Sequence, residues 1–298
     1  MRLSRRVPIL RVAPACVALG ATVALLGVAL DARAAPPWVD RPLTLPAGDF
    51  AFDFGLGLSH VPVGPPPGLP PGAPFDGSTS AGVNAEMAVG LTSRIELGVR
   101  TGIRLDDEFH RSTNADAYGR LFDRQTFDEG ANTVANPEIR IRGAIVRGPI
   151  AEVGLEGRLV LPFADGTGAG LLFGVPLAFH LGDRVRLDMG AYVPVVFPPR
   201  ADAAFAVNLP LDVWIQASSR FWLGPMTGFE LTNFSGGGGV GRTAPGLPAS
   251  AVTAFSLGLG LGYQITHALD FKAEFLFPEL NQDSRVFGFG AGVQIRIE

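Results

Sequence analysis

The chain is nearly without cysteine: Cys16 is the only one among 298 residues, and it lies within the first 34 residues, which read as an export signal. What remains after export has no thiol, no disulfide and no cysteine-based metal site. Charge is scarce as well, at 17% of residues against 47% hydrophobic. That much apolar surface has to be buried in a core or presented to lipid. Helix-forming sequence is short too, since the chain carries 39 Gly and 25 Pro, both of which destabilise helix interiors. Catalytic signatures are missing: no G-x-S-x-G and no H-E-x-x-H pattern occurs. Of the four histidines, His60, His110, His180 and His267, only His110 has acids around it, at Asp106, Asp107 and Glu108. A lone loop histidine among acids is ordinarily just solvated. No catalytic residue, metal ligand or cofactor is assigned, and the chain is not read as an enzyme.

The N-terminus has the three parts of a secretory signal. Arg2, Arg5, Arg6 and Arg11 form a basic region, Val12 to Leu30 an apolar stretch, and Ala32-Arg33-Ala34 a small-residue cleavage site that leaves Ala35 first. Ser4-Arg5-Arg6 faintly resembles a twin-arginine signal, but Pro8 stands where a large apolar residue belongs. Removing residues 1–34 takes away five Arg and one Asp, leaving 19 basic against 27 acidic residues. An acidic chain of this kind argues against nucleic-acid binding.

Alternation with period two runs through the rest. Phe50, Phe52, Phe54, Leu56 and Leu58 share one face, and Ala51, Asp53, Gly55, Gly57 and Ser59 the other, a strand repeat and not a helical one. The pattern recurs near 81–91, 95–104, 137–146, 150–161, 170–181, 185–197, 204–217, 221–232, 250–263, 269–277 and 286–297. That makes about twelve strands, within limits of ten and fourteen. The uncharged stretch Thr243 to Leu269 tests the reading, because its hydropathy alone suits a transmembrane helix. Yet Gly258, Gly260 and Gly262 alternate with Leu257, Leu259 and Leu261, and three glycines inside a helix cost about 3 kcal/mol relative to alanine. A strand fits better. Pro176, Pro194, Pro210 and Pro225 fall inside proposed strands, where each deletes a ladder hydrogen bond.

The connections alternate between long and short. Long ones fall near 61–79, 106–133, 162–169, 198–203, 233–249 and 278–285; short ones near 92–94, 147–149, 182–184, 218–220 and 265–268. Transmembrane barrels separate their loops in this way, and an even strand number puts both termini at the short-turn end. Only helices or closed barrels satisfy every backbone group in hydrocarbon. The expected fold is therefore all-β, a closed antiparallel transmembrane barrel over 49–298. A signal peptide (1–34) and an N-terminal periplasmic segment (35–48) precede it, the segment either extending outward or tucking into the barrel. Phe50, Phe173, Phe197, Phe205, Phe221, Tyr263, Phe277 and Phe287 are candidates for interfacial girdles.

On these features, residues 49–298 resemble the bacterial outer-membrane β-barrel proteins, particularly small porin-like and channel-like members. The resemblance implies residence in the outer membrane among lipid and lipopolysaccharide, insertion by the barrel-assembly machinery, and passive passage of small hydrophilic solutes. It also implies a last strand that alternates and ends on an aromatic. Phe287 to Ile297 alternate, but the chain closes on Ile297-Glu298.

Parity places one group of charges in the lumen: Arg94, Glu96, Arg100, Arg104, Glu138, Arg140, Arg142, Glu152, Glu156 and Arg158. Two readings of them stand side by side. Opposed charge across an open pore creates a transverse field that selects solutes; mutual pairing instead rigidifies or plugs a small lumen. The second gives a structural or surface-interaction barrel with functional loops, and an outer-membrane hydrolase is a more distant alternative. Loop 106–133 is acidic and reads as solvated, and Pro65 to Pro74 as a stiff exposed loop. Gly236 to Thr243 approaches a phosphate loop, but Arg242 replaces its lysine and Ala244-Pro245-Gly246-Leu247-Pro248 follows where a helix should start, so a flexible hairpin loop fits better.

Overall fold

The computed structural model describes residues 36–61, 78–104, 111–113, 124–126, 137–163, 169–197, 204–232, 252–277, 280–281 and 287–297. The signal segment and its cleavage site, His110, the proline-rich and glycine-rich loops, most of the acidic loop and Glu298 lie outside them.

Twelve long strands form one closed sheet: β1 (Phe50–Val61), β2 (Ser78–Gly90), β3 (Ile95–Arg104), β6 (Glu138–Arg147), β7 (Ala151–Val160), β8 (Ala169–Leu181), β9 (Val185–Phe197), β10 (Ala204–Gln216), β11 (Phe221–Thr232), β12 (Val252–Gln264), β13 (Leu269–Phe277) and β14 (Phe287–Ile297). Between β3 and β6, the short strands β4 (Arg111–Thr113) and β5 (Arg124–Thr126) pair with each other as a separate hairpin. That hairpin carries no apolar alternation, so periodicity gave no sign of it. Every neighbouring pair in the barrel is antiparallel, and β1 closes on β14 from Phe50↔Ile297 to His60↔Phe287.

The apolar parity faces outward. Phe50, Leu56, Leu58, Met87, Ile141, Leu155, Phe173, Leu259 and Phe289 are all exposed, while their neighbours Ala51, Asp53, Arg140, Glu156 and Gly260 point in and are buried. A soluble protein has no use for such an inversion; a barrel whose solvent is lipid requires it. Phe50, Phe173, Phe197, Tyr263 and Phe287 are exposed near strand ends, as a girdle needs.

The internal prolines leave the register untouched. In β7–β8, pairing resumes at Glu156↔Gly174 with the same offset as at Val153↔Leu177, the missing pairs flanking Pro176. Pairs are skipped in the same way beside Pro194 and Pro210 in β9–β10 and beside Pro225 in β10–β11. Each proline thus deletes a rung without inserting a residue. The bulge between Ala144 and Val146 in β6–β7 is a different defect, a true register shift.

Ahead of β1, the chain turns at Gly48, whose φ of 89° suits glycine. Residues 36–48 then run into the short-turn end of the barrel, with one 3-10 turn at Trp38–Asp40. Of the two courses open to the N-terminal segment, it takes the inward one.

Candidate functional site

The lumen is where polar chemistry collects, and the register shows how. Across β2, β3 and β6, Glu86, Arg100 and Glu138 stand in one row. One row nearer the short turns, Gly98, Arg140 and Arg158 align, and next to that Glu96, Arg142 and Glu156. The second row sets two arginines opposite each other, which is repulsive unless each finds a carboxylate diagonally. Both do. Arg140 reaches across Gly98 to Glu86 Oε1 at 2.6 Å and Glu96 Oε1 at 2.7 Å. A Cβ on Gly98 would sit 3.0 Å from Arg140 Nε, so the glycine supplies the passage. Arg158 donates to Glu156 Oε1 at 2.7 Å and Glu138 Oε2 at 3.3 Å. Arg142 meets Glu156 Oε2 through Nε at 2.6 Å and Nη2 at 2.5 Å.

Of the ten charges expected in the lumen, Glu96, Arg100, Glu138, Arg140, Arg142, Glu152, Glu156 and Arg158 are buried there. Arg104 ends β3 opposite Gly82, and its side chain lies outside what the structure describes. Arg94 is the correction. It is exposed in the turn before β3, with Nη1 3.5 Å from the Ile145 carbonyl oxygen. Strand parity does not hold one residue ahead of a strand, where Thr92 Oγ1 already bonds the Arg94 and Ile95 amides in a turn.

The other wall is built differently. On β10–β12 the inward positions include Asn208, Asp212, Trp214 and Gln216, then Trp222, Met226 and Glu230, then Ser256, Gly260, Gly262 and Gln264. The alternating glycines make room for indoles. A Cβ on Gly262 would fall 2.1 Å from Trp222 Cζ2, and one on Gly260 2.6 Å from Trp214 Cη2. Asp212 stands opposite Asp188 across β9–β10. Asn208 Oδ1, Asp212 Oδ1 and Gln216 Oε1 are buried with no hydrogen-bond partner among the described residues, so this face suits water or solute. On β13, Asp270, Lys272 and Glu274 point inward. Lys272 is the only lysine in the chain. Among the described residues no group of three or more His, Cys, Asp or Glu is placed to hold a metal ion.

Residues 38–45 lie between these walls. Trp38 stacks on Trp222 with ring centroids 5.2 Å apart and planes 2° from parallel, and meets Trp214 edge-on at 6.1 Å. Lys272 Nζ lies 4.5 Å from the Trp38 ring centroid. Val39 is buried with Trp214, Trp222 and Met226, and the Arg41 guanidinium pairs with Asp270. Sequence reasoning missed Arg41, Lys272, His180, Arg186 and both wall tryptophans. One signal was available: a single lysine and two of the three tryptophans stand at inward parity, where polar or small residues otherwise dominate.

A closed sheet with an apolar exterior and a polar, ion-paired interior defines a membrane-spanning β-barrel. No family model and no curated protein sequence matches the chain. Solved structures do share its fold. An outer membrane channel from Pseudomonas putida F1 is 11% identical with a TM-score of 0.56, over 86% of this chain and 99% of that one. The NanC porin is 10% identical with a TM-score of 0.53, over 83% and 100%. A KdgM porin in complex with disordered oligogalacturonate is 6% identical with a TM-score of 0.51, over 83% and 99%. At these identities the likeness is one of fold.

Proposed function

We propose that the protein is an outer-membrane channel passing small hydrophilic solutes passively, and that the arrangement described here is its closed state. The observation that carries this is the inversion of the barrel: charged and amide side chains line the inside of β2–β7, β10 and β13, a composition a dry structural core has no reason to hold. The porin and channel structures of like fold support it. Passage involves no bond-breaking, so no catalytic group and no cofactor is needed. Closure has two sources, the paired charges of β2–β7 and the segment 38–45. A cavity of about 160 Å³ lies beside that segment.

In this reading the short-turn end faces the periplasm. The precursor loses residues 1–34 on export, and the barrel-assembly machinery inserts the rest among outer-membrane lipid and lipopolysaccharide. N-terminal sequencing of protein recovered from outer membranes is expected to begin at Ala35. Planar-bilayer recording of that protein tests the channel directly, with discrete conductance steps as the expected result. A protein that never conducts, even after acid or voltage challenge, belongs instead to the class of closed structural barrels, which the ion pairing favours. Fractionation away from outer membranes defeats both readings.

A further inference from the structure

We propose that the short-turn end of the lumen is a binding site for a peptide segment, that residues 38–45 are its resident ligand in cis, and that release of this segment opens the path. The proposal rests on the channel reading for its consequence, but not for its geometry.

The wall grips the segment largely by its main chain. Glu152 Oε2 accepts from the Leu43 amide at 3.2 Å and Glu96 Oε2 from the Leu45 amide at 2.8 Å. Arg142 Nη1 donates to the Leu43 carbonyl and Arg147 Nη2 to the Thr44 carbonyl, each at 3.3 Å. Arg186 Nη1 donates to the Arg41 carbonyl, and His180 Nδ1 lies 2.6 Å from the Val39 carbonyl oxygen. Such contacts recognise a peptide backbone of almost any sequence, here one turn of 3-10 helix at Trp38–Asp40 and the residues after it, while pockets for spaced side chains supply selectivity. Here those are Trp38 on Trp222, Arg41 on Asp270, Leu43 against Gly154 and Leu45 with Ala51 and Ala88. The recognised pattern is aromatic-x-x-Arg-x-Leu-x-Leu.

The attachment is also of a kind that lets go. The described residues of the segment join no barrel strand as a ladder partner, so their departure breaks no sheet. They connect to β1 through Gly48, with Pro42 and Pro46 keeping the run from becoming a strand. The wall groups that hold the segment's main chain are charged, Glu96, Arg142, Glu152 and Arg186 among them, and stay hydrated in an opened lumen.

Lys272 provides the readout. As the only lysine, buried against Trp38, it reports plug release through its reaction with a water-soluble amine reagent, read by mass spectrometry. In the full-length exported protein, labelling is expected to be slow, and about a hundredfold faster in Trp38→Ala/Arg41→Ala, which loses the stack and the buried pair. Adding a synthetic peptide of residues 36–48 in excess is expected to restore protection, and a scrambled peptide of the same composition to do so far less. A second variant guards against misfolding of the first. Leu45 packs with Ala51 and Ala88, and position 88 already carries a Cβ, so Leu45→Cys/Ala88→Cys is placed to form a disulfide in a chain with no other thiol after export. Oxidised, it is expected to protect Lys272 and to show no openings; reduced, to behave as wild type. The proposal is overturned if Lys272 labels equally fast in all forms, if the matching peptide gives no protection, or if the locked protein conducts as wild type does. Peptide-dependent protection without conductance in any form keeps the peptide site and refutes the channel reading alone.

Discussion

Replacing Glu156 by Gln decides whether the charged wall is a paired cluster or a set of independent pore charges. The side chain is 0% exposed and receives three short bonds, two from Arg142 and one from Arg158. Glutamine keeps the volume, removes the charge and turns an NH₂ toward a guanidinium. Breaking a fully buried pair costs about 3–5 kcal/mol, but neither arginine is stranded. Arg142 still donates to the Leu43 carbonyl and Arg158 to Glu138. We therefore take the lower end, about 3 kcal/mol, or about 150-fold in the unfolding equilibrium. The assay is urea unfolding of the barrel refolded into liposomes, run as a double-mutant cycle with Arg158→Gln. A cluster gives a coupling of about 1–3 kcal/mol between the two sites. Glu138→Gln removes the longer of the two carboxylate contacts of Arg158, 3.3 Å against 2.7 Å, and is expected to couple to Arg158→Gln less strongly than Glu156→Gln does. A loss below about 0.5 kcal/mol with no coupling is the mark of exposed, screened ion pairs. That result refutes the cluster and makes these arginines lumen charges in water.

Other substitutions separate wall from turn and packing from charge. Arg140→Gln leaves Glu86 and Glu96 without the guanidinium they share, so reversal potentials in a KCl gradient are expected to move toward cation selectivity; no movement places the cluster off the ion path. Arg94→Ala, in the exposed turn, is expected to leave conductance and selectivity unchanged. Gly262→Val puts a side chain where Trp222 lies and is expected to cost about 1–3 kcal/mol, with loss of the near-ultraviolet circular dichroism of the Trp38–Trp222 stack while the strand signal persists.

Strand positions, facing and loop rhythm were legible in the sequence because a barrel in lipid writes one rule on every residue: apolar out, polar or small in. The rule is local and repeats every two residues, so Phe50 to Leu58 declared their face without knowledge of any partner. It also survived the prolines, since Pro176 and Pro210 delete rungs without changing phase. Where the rule stops, inference stopped with it. Arg94 sits one residue outside a strand and was assigned a face it does not have. Arg140 was placed in the lumen correctly, but its choice of Glu86 and Glu96 depends on Gly98, three strands' register and a diagonal reach that one strand's alternation does not encode.

The segment 36–48 shows the same limit most clearly, and explains the glycines that first argued for a strand. Its sequence has no period, and its four prolines, at 36, 37, 42 and 46, keep it out of both regular structures, so nothing local announces a partner. The partner is announced elsewhere, in the wall that receives it. Gly260 and Gly262 on β12 recess the sheet beneath Trp214 and Trp222, and the recess holds those indoles flat enough for Trp38 to stack on one and abut the other. A polar lumen alone requires no such aromatic floor; small or charged residues would serve, as they do on β2–β7. The inward tryptophans, the glycines under them and the single lysine over Trp38 are therefore features of a lumen shaped around an occupant. Their dependence on one another has a consequence: widening the recess with Trp222→Ala is expected to free Lys272 for amine labelling as fully as Trp38→Ala does, although Trp222 belongs to the barrel and not to the segment. Labelling of the Trp222→Ala protein at the wild-type rate would show that the wall and the segment are merely adjacent.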